Sequence, residues 1–158
     1  MVKIRKVRIA SYSLITELMS DIRKADLKEL YMGQTDPFTA VFDSIEASRV
    51  CYQARDSQKR LLALFGVGSF KDNINGVMAT PVWMLGTNKS YEHKKAMVYY
   101  GKQFINEFLK DGPLYNFIWA GNEPAIRYIM HMGAELLDVV PMGRNGELFV
   151  PFILKEVR

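Results

Sequence analysis

The stretch that decides the fold is WAGNEPAIRYIMHMGA, residues 119–134. It follows a short apolar run, residues 114–119, so it predicts a strand that leads directly into a helix. Asn122 can cap that helix, because its side-chain oxygen can accept hydrogen bonds from backbone N–H groups one turn further on. Pro124 fits the first turn, where a missing N–H costs nothing, and Gly133 suits the left-handed position that ends many helices. A strand end that meets a capped helix start is a place where α/β proteins bind anionic ligands.

Apolar periodicity predicts the elements on either side of this stretch. Pro81 falls in the middle of one strand and removes a hydrogen-bond donor, which indicates either a splay from the neighbouring strand or an exposed edge. The order of elements predicts one α/β (α+β) domain over residues 1–158, with a mixed, mostly antiparallel sheet flanked by helices. The remaining predicted elements are a strand at 2–9, helical sequence over 14–30 broken near Ser20 or Asp21, a helix from Asp36-Pro37, a hairpin of strands 50–55 and 61–67, a turn at 73–76, a strand at 77–85, a loop at 86–90, a helix at 91–109, a strand near 135–140, a turn at 144–146 and a strand at 147–154.

Composition excludes several classes of protein. The chain has 158 residues, of which 49% are hydrophobic and 24% charged, and no apolar run approaches the length of a membrane span. Its basic N-terminus lacks the apolar region of a signal peptide. The net charge of +4 is too small to indicate nucleic-acid binding. No metal-ligand spacing, Ser/His/Asp order or nucleotide P-loop is present. The single cysteine, Cys51, is predicted to be a buried strand residue rather than a catalytic thiol.

Lysines cluster where the longest helix is predicted to begin. Lys89, Lys94 and Lys95, with Ser90, could cradle a phosphate, although a solvated helix start explains them as well. Lysines at a helix N-terminus oppose the helix dipole, and this conflict favours an anionic partner weakly. His93 lies in the same segment and could act as a base or contact phosphate; a surface histidine without a role is the alternative.

The order of elements resembles that of the GNAT superfamily of acyl-CoA-dependent N-acyltransferases. Asn122, Ala125 and Ile126, with Gly133 eleven residues after the asparagine, are similar to the GNAT motif in which a strand-end asparagine starts a helix closed by glycine. The resemblance is closer to small GNAT-like proteins of tailed bacteriophages, which include an internal virion protein of short-tailed phages and phage acetyltransferases. The segments that carry it are residues 64–67, 82–87, 93–96, 115–119 and 122–133.

The sequence departs from the GNAT pattern at three places. The loop at 86–95 has one glycine, whereas GNAT enzymes usually bind the CoA pyrophosphate with a Q/R-x-x-G-x-G/A loop. Ile129 stands where many GNAT enzymes have a tyrosine that protonates the departing thiolate. Tyr128 is adjacent, but one helical step is about 100°, so it is predicted to face elsewhere. Ala134 replaces the aromatic residue that usually follows the glycine.

The resemblance implies acetyl-CoA as co-substrate. The first hypothesis is a phage-encoded N-acetyltransferase that acts on an unidentified amine in the host cytoplasm, with the thioester against strand 77–85. The alternative is a GNAT-shaped protein without catalysis, either a virion or morphogenesis component or a binder of a host factor; a host or phage protein is the expected partner, and the oligomeric state is open. Glu46 is one of several acidic residues that could reach an acceptor groove. The predicted catalytic residues are Asn122 and His93, and the predicted cofactor-binding residues are Leu85, Gly86, Lys89, Ser90, Lys94, Lys95 and Asn122.

Overall fold

The computed structural model of the protein describes residues 1–33 and 35–158, and over these ranges it contains nine strands and five α-helices. The strands are β1 (Lys3–Lys6), β2 (Ser48–Arg55), β3 (Leu61–Gly68), β4 (Asp72–Ile74), β5 (Val77–Gly86), β6 (Leu114–Trp119), β7 (Glu135–Leu136), β8 (Val140–Pro141) and β9 (Leu148–Leu154). The helices are α1 (Tyr12–Asp21), α2 (Lys24–Met32), α3 (Pro37–Ala47), α4 (Lys94–Phe108) and α5 (Glu123–Met132), with 3-10 helices at Asn88–His93 and Leu109–Asp111.

All strands join one mixed sheet in the order β1-β2-β3-β5-β6-β9-β7, with β4 paired to β5 and β8 paired to β9. Every pairing is antiparallel except that of β5 with β6. The predicted fold class, a mostly antiparallel sheet flanked by helices, is therefore confirmed. No helix within the two described ranges is long and apolar enough to cross a membrane.

Helices cover both faces of the sheet, because side chains of successive strand residues point to opposite sides. On one face α1 and α3 bury Ile15, Leu18 and Val41 against strand residues that include Leu64 and Leu85. On the other face α4 and α5 pack on a separate cluster; its fully or nearly fully buried members include Val67, Leu114, Met132 and Leu154. The sheet thus separates two apolar cores.

Polar caps fix the helix starts that the sequence marks. Ser11 accepts from the Leu14 N–H at 3.1 Å, Asp36 from the Thr39 N–H at 3.0 Å, and Asn122 from the Ala125 N–H at 3.3 Å. Such side chains satisfy N–H groups that have no partner within the helix. The predicted starts of α3 and α5 are confirmed, and Gly133 ends α5 with φ +108°, a left-handed conformation that glycine adopts without strain. The predicted helix break near Ser20 or Asp21 is confirmed by the separation of α1 from α2.

Several predicted boundaries were wrong. The segment 86–90 is not a simple loop, since the 3-10 helix Asn88–His93 occupies most of it and delays the start of α4 to Lys94. The strand expected near 135–140 consists of two two-residue strands, β7 and β8, which pair with different ends of β9. The short strand β4 was missed because three residues before a turn carry no periodic signal.

Candidate functional site

The parallel strands β5 and β6 separate soon after they meet. They pair only at Thr80 with Leu114 and at Pro81 with Tyr115. The nitrogen of Pro81 faces β3, because Thr80 and Val82 on either side of it bond toward β6, so its missing N–H does not cause this separation. Strand β5 has neighbours on both sides, so the exposed edge predicted as the alternative is wrong, and a role of Pro81 in the splay stays a prediction. We call the space between residues 82–86 of β5 and 116–119 of β6 the strand gap.

Asn116 closes the narrow end of the strand gap. Its amide nitrogen donates to the Val82 carbonyl at 2.7 Å, and its amide oxygen accepts from the Phe117 N–H at 2.7 Å. These are the backbone groups that the next step of the β5–β6 ladder would have used. One side chain therefore satisfies both strands where their backbones part.

Beyond Asn116, the backbone of Met84 faces the strand gap. The N–H and C=O groups of alternate strand residues point to opposite edges. The N–H of Thr80 bonds Pro113 and the carbonyl of Val82 bonds Asn116, so even-numbered residues of β5 face β6. Thr87 bonds Leu62 of β3 on the other edge. The register pairs no β6 residue with Met84, so its N–H and C=O are directed into the gap.

Helix α2 lies across the wide end of the strand gap. Asp26 accepts from the Gly86 N–H at 2.9 Å, and the Arg23 N–H donates to the Gly86 carbonyl at 2.9 Å. Glu29 accepts from the Trp119 N–H at 3.0 Å. The helix thus binds the carboxyl end of β5 with one turn and that of β6 with the next. We call Arg23, Asp26 and Glu29 the α2 cluster.

The α2 cluster is charged and largely buried. Arg23 forms an ion pair with Asp26 at 2.7 Å, and both side chains are almost inaccessible to solvent. The Arg23 guanidinium also lies over the Tyr91 ring, 5.9 Å from its centroid. A buried ion pair is tolerated only where further hydrogen bonds satisfy it, and Gly86 and Asn122 supply these to Asp26.

Asn122 links α5 to the α2 cluster as well as capping its own helix. The side chain is 1% exposed, and its amide nitrogen donates to Asp26 and to Glu29, each at 3.1 Å. With the cap to Ala125, every direction of the amide is used inside the protein. Its predicted role as a helix cap is confirmed, and the structure places it between two carboxylates. Its predicted contact with a cofactor stays a prediction.

A cavity of about 230 Å³ runs through the strand gap. On the α4–α5 side its walls include Phe104, Tyr128 and Ile129, and on the α2–α3 side they include Leu30 and Trp83. The α2 cluster, Asn116 and Asn122 also line it. A mostly apolar cavity with a few convergent polar groups is the form that small-molecule sites take.

Glu29 is the ionisable group in this cavity whose protonation is most altered. Its pKa is raised to about 7, mainly by burial and also by the neighbouring charge of Asp26. The hydrogen bonds from Asn122 and Trp119, with the Arg23 charge, act in the opposite direction. A carboxyl that titrates near neutral pH inside a cleft is suited to proton transfer.

Tyr128 lies on the cavity, contrary to the prediction that it faces elsewhere. Its hydroxyl reaches across to α4 and donates to the Met97 carbonyl at 2.8 Å. A methyl group at Gly101 would lie 2.0 Å from this hydroxyl, so glycine makes the approach possible. Burial raises the Tyr128 pKa to about 12. Tyr128 does lie about 100° around the helix from Ile129, as predicted, but a tyrosine side chain is long enough to reach the cavity from that position.

The structure separates the residues predicted to bind a cofactor. Leu85 is buried and lines the cavity, and Gly86 lies under the Arg23 guanidinium. Ser90 is buried, and its hydroxyl donates to the Thr87 carbonyl at 2.7 Å. Lys94 and Lys95 are exposed at the start of α4, a helix whose first turn has no side-chain cap.

The other two members of the loop face away from the cavity. Lys89 lies 3.6 Å from Asp21, and His93 Nε2 lies 3.6 Å from Asp56 in the turn between β2 and β3. Neither lines the strand gap. The catalytic role predicted for His93 therefore has no geometric support from the cavity and stays a prediction.

Two other sequence candidates also lie outside the strand gap. Cys51 is buried, as predicted, and burial raises its pKa to about 12, so it is a neutral thiol near pH 7. Glu46 is exposed on a wider depression of about 710 Å³ at the β1–β2 edge, which does not reach β5 or β6. Over residues 1–33 and 35–158, no group of three His, Cys, Asp or Glu side chains could hold a metal ion.

Sequence reasoning missed the α2 cluster, Asn116 and Tyr128. The cluster had a readable signal, because residues 23–29 read RKADLKE and place three charges at intervals of three on one helical face. Charges at this spacing are also typical of a solvated helix surface, so the pattern alone does not indicate burial. Asn116 stands between strand residues and has no local signal of its role.

Comparison with known proteins places this geometry in a structural context. No protein-family model matches the sequence, and no curated protein matches it. Among solved structures, an aminoglycoside N(6')acetyltransferase from Legionella pneumophila superposes with a TM-score of 0.68 at 14% identity, covering 97% of this chain and 91% of the other. A protein from Salmonella typhimurium, solved with its cofactor acetyl-CoA, superposes with a TM-score of 0.67 at 15% identity, covering 97% of this chain and 92% of the other.

A third structure extends the comparison to a bound amine. Spermidine N-acetyltransferase from Vibrio cholerae, in complex with CoA and spermine, superposes with a TM-score of 0.59 at 12% identity, covering 96% of this chain and 93% of the other. At such identities the likeness establishes the fold. The chain has the fold of the GNAT acetyltransferases.

Proposed function

We propose that the protein is an acetyl-CoA-dependent N-acetyltransferase that transfers an acetyl group to an amine. The observation that carries this proposal is the strand gap, where the Met84 N–H faces a cavity instead of a neighbouring strand. A backbone N–H held rigidly in a dry site can stabilise the negative charge that develops on a carbonyl oxygen under attack. The thioester carbonyl would accept a hydrogen bond from this group.

The shape of the cavity fits the narrow end of acetyl-CoA. A pantetheine arm carries amide groups that need backbone partners, and the open edges of two diverging strands offer them. Asn116 sets the depth of the slot, because it fills the narrow end. The apolar walls exclude water from the thioester and strengthen electrostatic interactions inside the site.

The start of α4 fits the charged end of the same molecule. Lys94 and Lys95 are exposed beside a helix start whose N–H groups lack a side-chain cap. A helix N-terminus attracts anions, and lysines add point charges. These lysines can attract the CoA pyrophosphate by their charge, but they do not reproduce the backbone N–H geometry of the glycine-rich loop. We therefore expect weaker acetyl-CoA binding than in enzymes with that loop.

The solved structures with this fold support the proposal. The Salmonella typhimurium protein binds acetyl-CoA and the Vibrio cholerae protein binds CoA with spermine. Aminoglycosides and spermidine, the substrates in the names of two of them, are amines. Fold alone does not fix function, so for this chain the Met84 N–H and the cavity are the features that support an N-acetyltransferase.

Isothermal titration calorimetry with acetyl-CoA tests the proposal. We expect measurable binding to the wild type, and loss of most of it in Lys94→Glu with Lys95→Glu. Lys3→Glu with Lys155→Glu is the matched control, since it makes the same charge change at exposed positions on other elements, Lys3 on β1 and Lys155 after β9. No heat and no thermal shift at millimolar acetyl-CoA would overturn the proposal. Equal affinity of the two double variants would overturn the role of Lys94 and Lys95.

A second candidate function is a GNAT-shaped protein without catalysis, used in a phage virion or to bind a host factor. One observation favours it: the backbone N–H groups of Gly86, Thr87 and Ser90 are already bonded within the protein. The glycine loop of GNAT enzymes instead presents its N–H groups to the pyrophosphate. Mass spectrometry of purified phage particles tests this alternative, and absence of the protein from them would count against a virion role.

A further inference from the structure

We propose that Glu29 is the catalytic base on the acceptor side of the strand gap, and that the acceptor is a single primary amine carried on an apolar body. The inference rests on the proposed function and adds to it a residue and a substrate class. In this assignment Oε2 of Glu29 takes the proton that the amine loses when it attacks the thioester.

The geometry holds one oxygen of Glu29 and leaves the other free. Oε1 accepts from the Trp119 N–H at 3.0 Å and from the Asn122 amide at 3.1 Å. Within the described part of the chain Oε2 has no partner, and the side chain lines the cavity. The carboxyl is thus oriented by two donors while one oxygen remains available, which is the arrangement that a positioned base needs.

The groups that face Glu29 leave it as the one available carboxyl of the α2 cluster. Both carboxylate oxygens of Asp26 already accept hydrogen bonds, from Arg23, Gly86 and Asn122, so Asp26 is not available as a base. Arg23 and Asp26 are the ionisable neighbours on α2 itself, while β6 and α5 face Glu29 with the Trp119 N–H and the Asn122 amide. Tyr128 on α5 is neutral near pH 7, because its pKa is raised to about 12. Burial keeps Glu29 close to the pKa that general-base catalysis at neutral pH requires.

The residues that line the cavity beside Glu29 indicate which class of amine is the acceptor. On this side of the sheet Leu30, Trp83 and Phe117 line the cavity. The Trp83 indole is fixed by a hydrogen bond to the Ser48 hydroxyl at 2.8 Å, so its ring is a rigid wall. Apolar walls with one free carboxylate match an amine on an aromatic or aliphatic body. A polyamine would need further free anionic groups along its length, and the one other carboxylate that lines the cavity among the described residues, Asp26, is already bonded to Arg23, Gly86 and Asn122.

The chemical step balances with the groups named. The amine lone pair forms the C–N bond to the thioester carbon, and the carbonyl oxygen gains negative charge opposite the Met84 N–H. A proton passes from the amine nitrogen to Glu29 Oε2, directly or through one water. The C–S bond then breaks with its electron pair on sulfur. The thiolate takes up a proton from water and Glu29 releases its proton to solvent, so that amine and acetyl-CoA yield amide and CoA.

Glu29→Gln separates this role from a structural one. Glutamine keeps a carbonyl oxygen that can accept from Trp119 and Asn122, but it cannot take a proton. The assay follows CoA release from acetyl-CoA with 2-phenylethylamine as acceptor and spermine as the polyamine comparison. Glu46→Gln is the matched control, since Glu46 is exposed and lies outside the strand gap. Acetyl-CoA affinity is measured by calorimetry for each variant.

We expect Glu29→Gln to bind acetyl-CoA as the wild type does and to lose about 100-fold or more in kcat/KM for 2-phenylethylamine. Below pH 7 the wild-type log kcat/KM should rise with a slope of about two, one proton from Glu29 and one from the amine, while the variant keeps a slope of about one. Spermine should be the poorer acceptor.

The remaining outcomes overturn the inference in distinguishable ways. A Glu29→Gln variant within threefold of an active wild type, with the same pH slope, removes the base and leaves the proposed function intact. A wild type that binds acetyl-CoA but acetylates spermine only, or neither amine, removes the assigned acceptor class and the inference with it. A wild type that binds no acetyl-CoA removes the proposed function and this inference together.

Discussion

At the residue scale, Asn116 decides where the sheet opens. Two strands that diverge would leave a carbonyl on one and an N–H on the other without partners, and such groups are costly when buried. The Asn116 amide carries one donor and one acceptor at the spacing that both strands need. No aliphatic residue can do this, and a carboxylate supplies acceptors only.

Replacing Asn116 therefore tests the origin of the strand gap. Asn116→Ala leaves the Val82 carbonyl and the Phe117 N–H unpaired, so we expect a loss of about 2–4 kcal/mol in the free energy of unfolding. Asn116→Asp should fall between alanine and wild type, since it retains the acceptor for Phe117. Urea denaturation measures the effect, with Asn145→Ala in an exposed turn as control. An Asn116→Ala variant as stable as the control would contradict this account.

Glu29 makes stability depend on pH. Its pKa is raised from 4.5 to about 7 in the folded protein. Between these values the folded state binds a proton that the unfolded state has released, so stability falls as pH rises through this window. The loss amounts to about 3 kcal/mol, because each pKa unit between 4.5 and about 7 is worth about 1.4 kcal/mol.

Glu29→Gln should remove that dependence. We expect the variant to be more stable than the wild type at pH 8 and equal to it at pH 4.5, measured as thermal unfolding by circular dichroism. Glu46→Gln, whose side chain is exposed, should match the wild type at both values. A Glu29→Gln variant that is less stable at pH 8 would mean that the carboxylate stabilises the fold, and the raised pKa would be wrong.

At the scale of elements, the sequence predicted correctly those helix ends that are determined by interactions between neighbouring residues. Helix α5 was predicted with both ends, because Asn122 and Gly133 act within a few residues of themselves. The boundaries that failed depend on distant partners. Strands β7 and β8 exist only where β9 offers an edge. The role of α2 was missed for the same reason, since its acidic residues bind strand ends 60 and 90 positions away along the chain.

The start of α5 gives an element-scale prediction. Asparagine, aspartate and serine cap isolated helices about equally well, but here the cap must also donate to Asp26 and Glu29. Asn122→Asp places a third carboxylate beside them, so at pH 8 we expect it to be less stable than Asn122→Ser by about 2 kcal/mol or more. The difference should shrink toward pH 4.5. Equal unfolding free energies at pH 8 would show that the amide acts as a cap only.

At the scale of the whole molecule, the sheet consists of two halves with a narrow junction. Strands β1 to β5 form one half and β6 to β9 the other, and two residue pairs connect them. Asn116 and the α2 cluster supply the remaining polar links across the strand gap. The strand gap is therefore bounded at both ends by side chains, and between them the strand backbones remain available.

Amide hydrogen exchange can test this arrangement in the full protein. The Met84 N–H lies in the middle of a central strand but faces the strand gap, whereas the Leu85 N–H faces β3, where Leu64 is its register partner. We expect Met84 to exchange much faster than Leu85 in the free protein, since among residues 1–33 and 35–158 the Leu85 N–H has a strand partner and the Met84 N–H has none. Saturating acetyl-CoA should slow Met84 by roughly tenfold, the worth of one hydrogen bond, and leave Leu85 unchanged. Slow exchange of Met84 without ligand would mean that β5 and β6 close over the gap in solution.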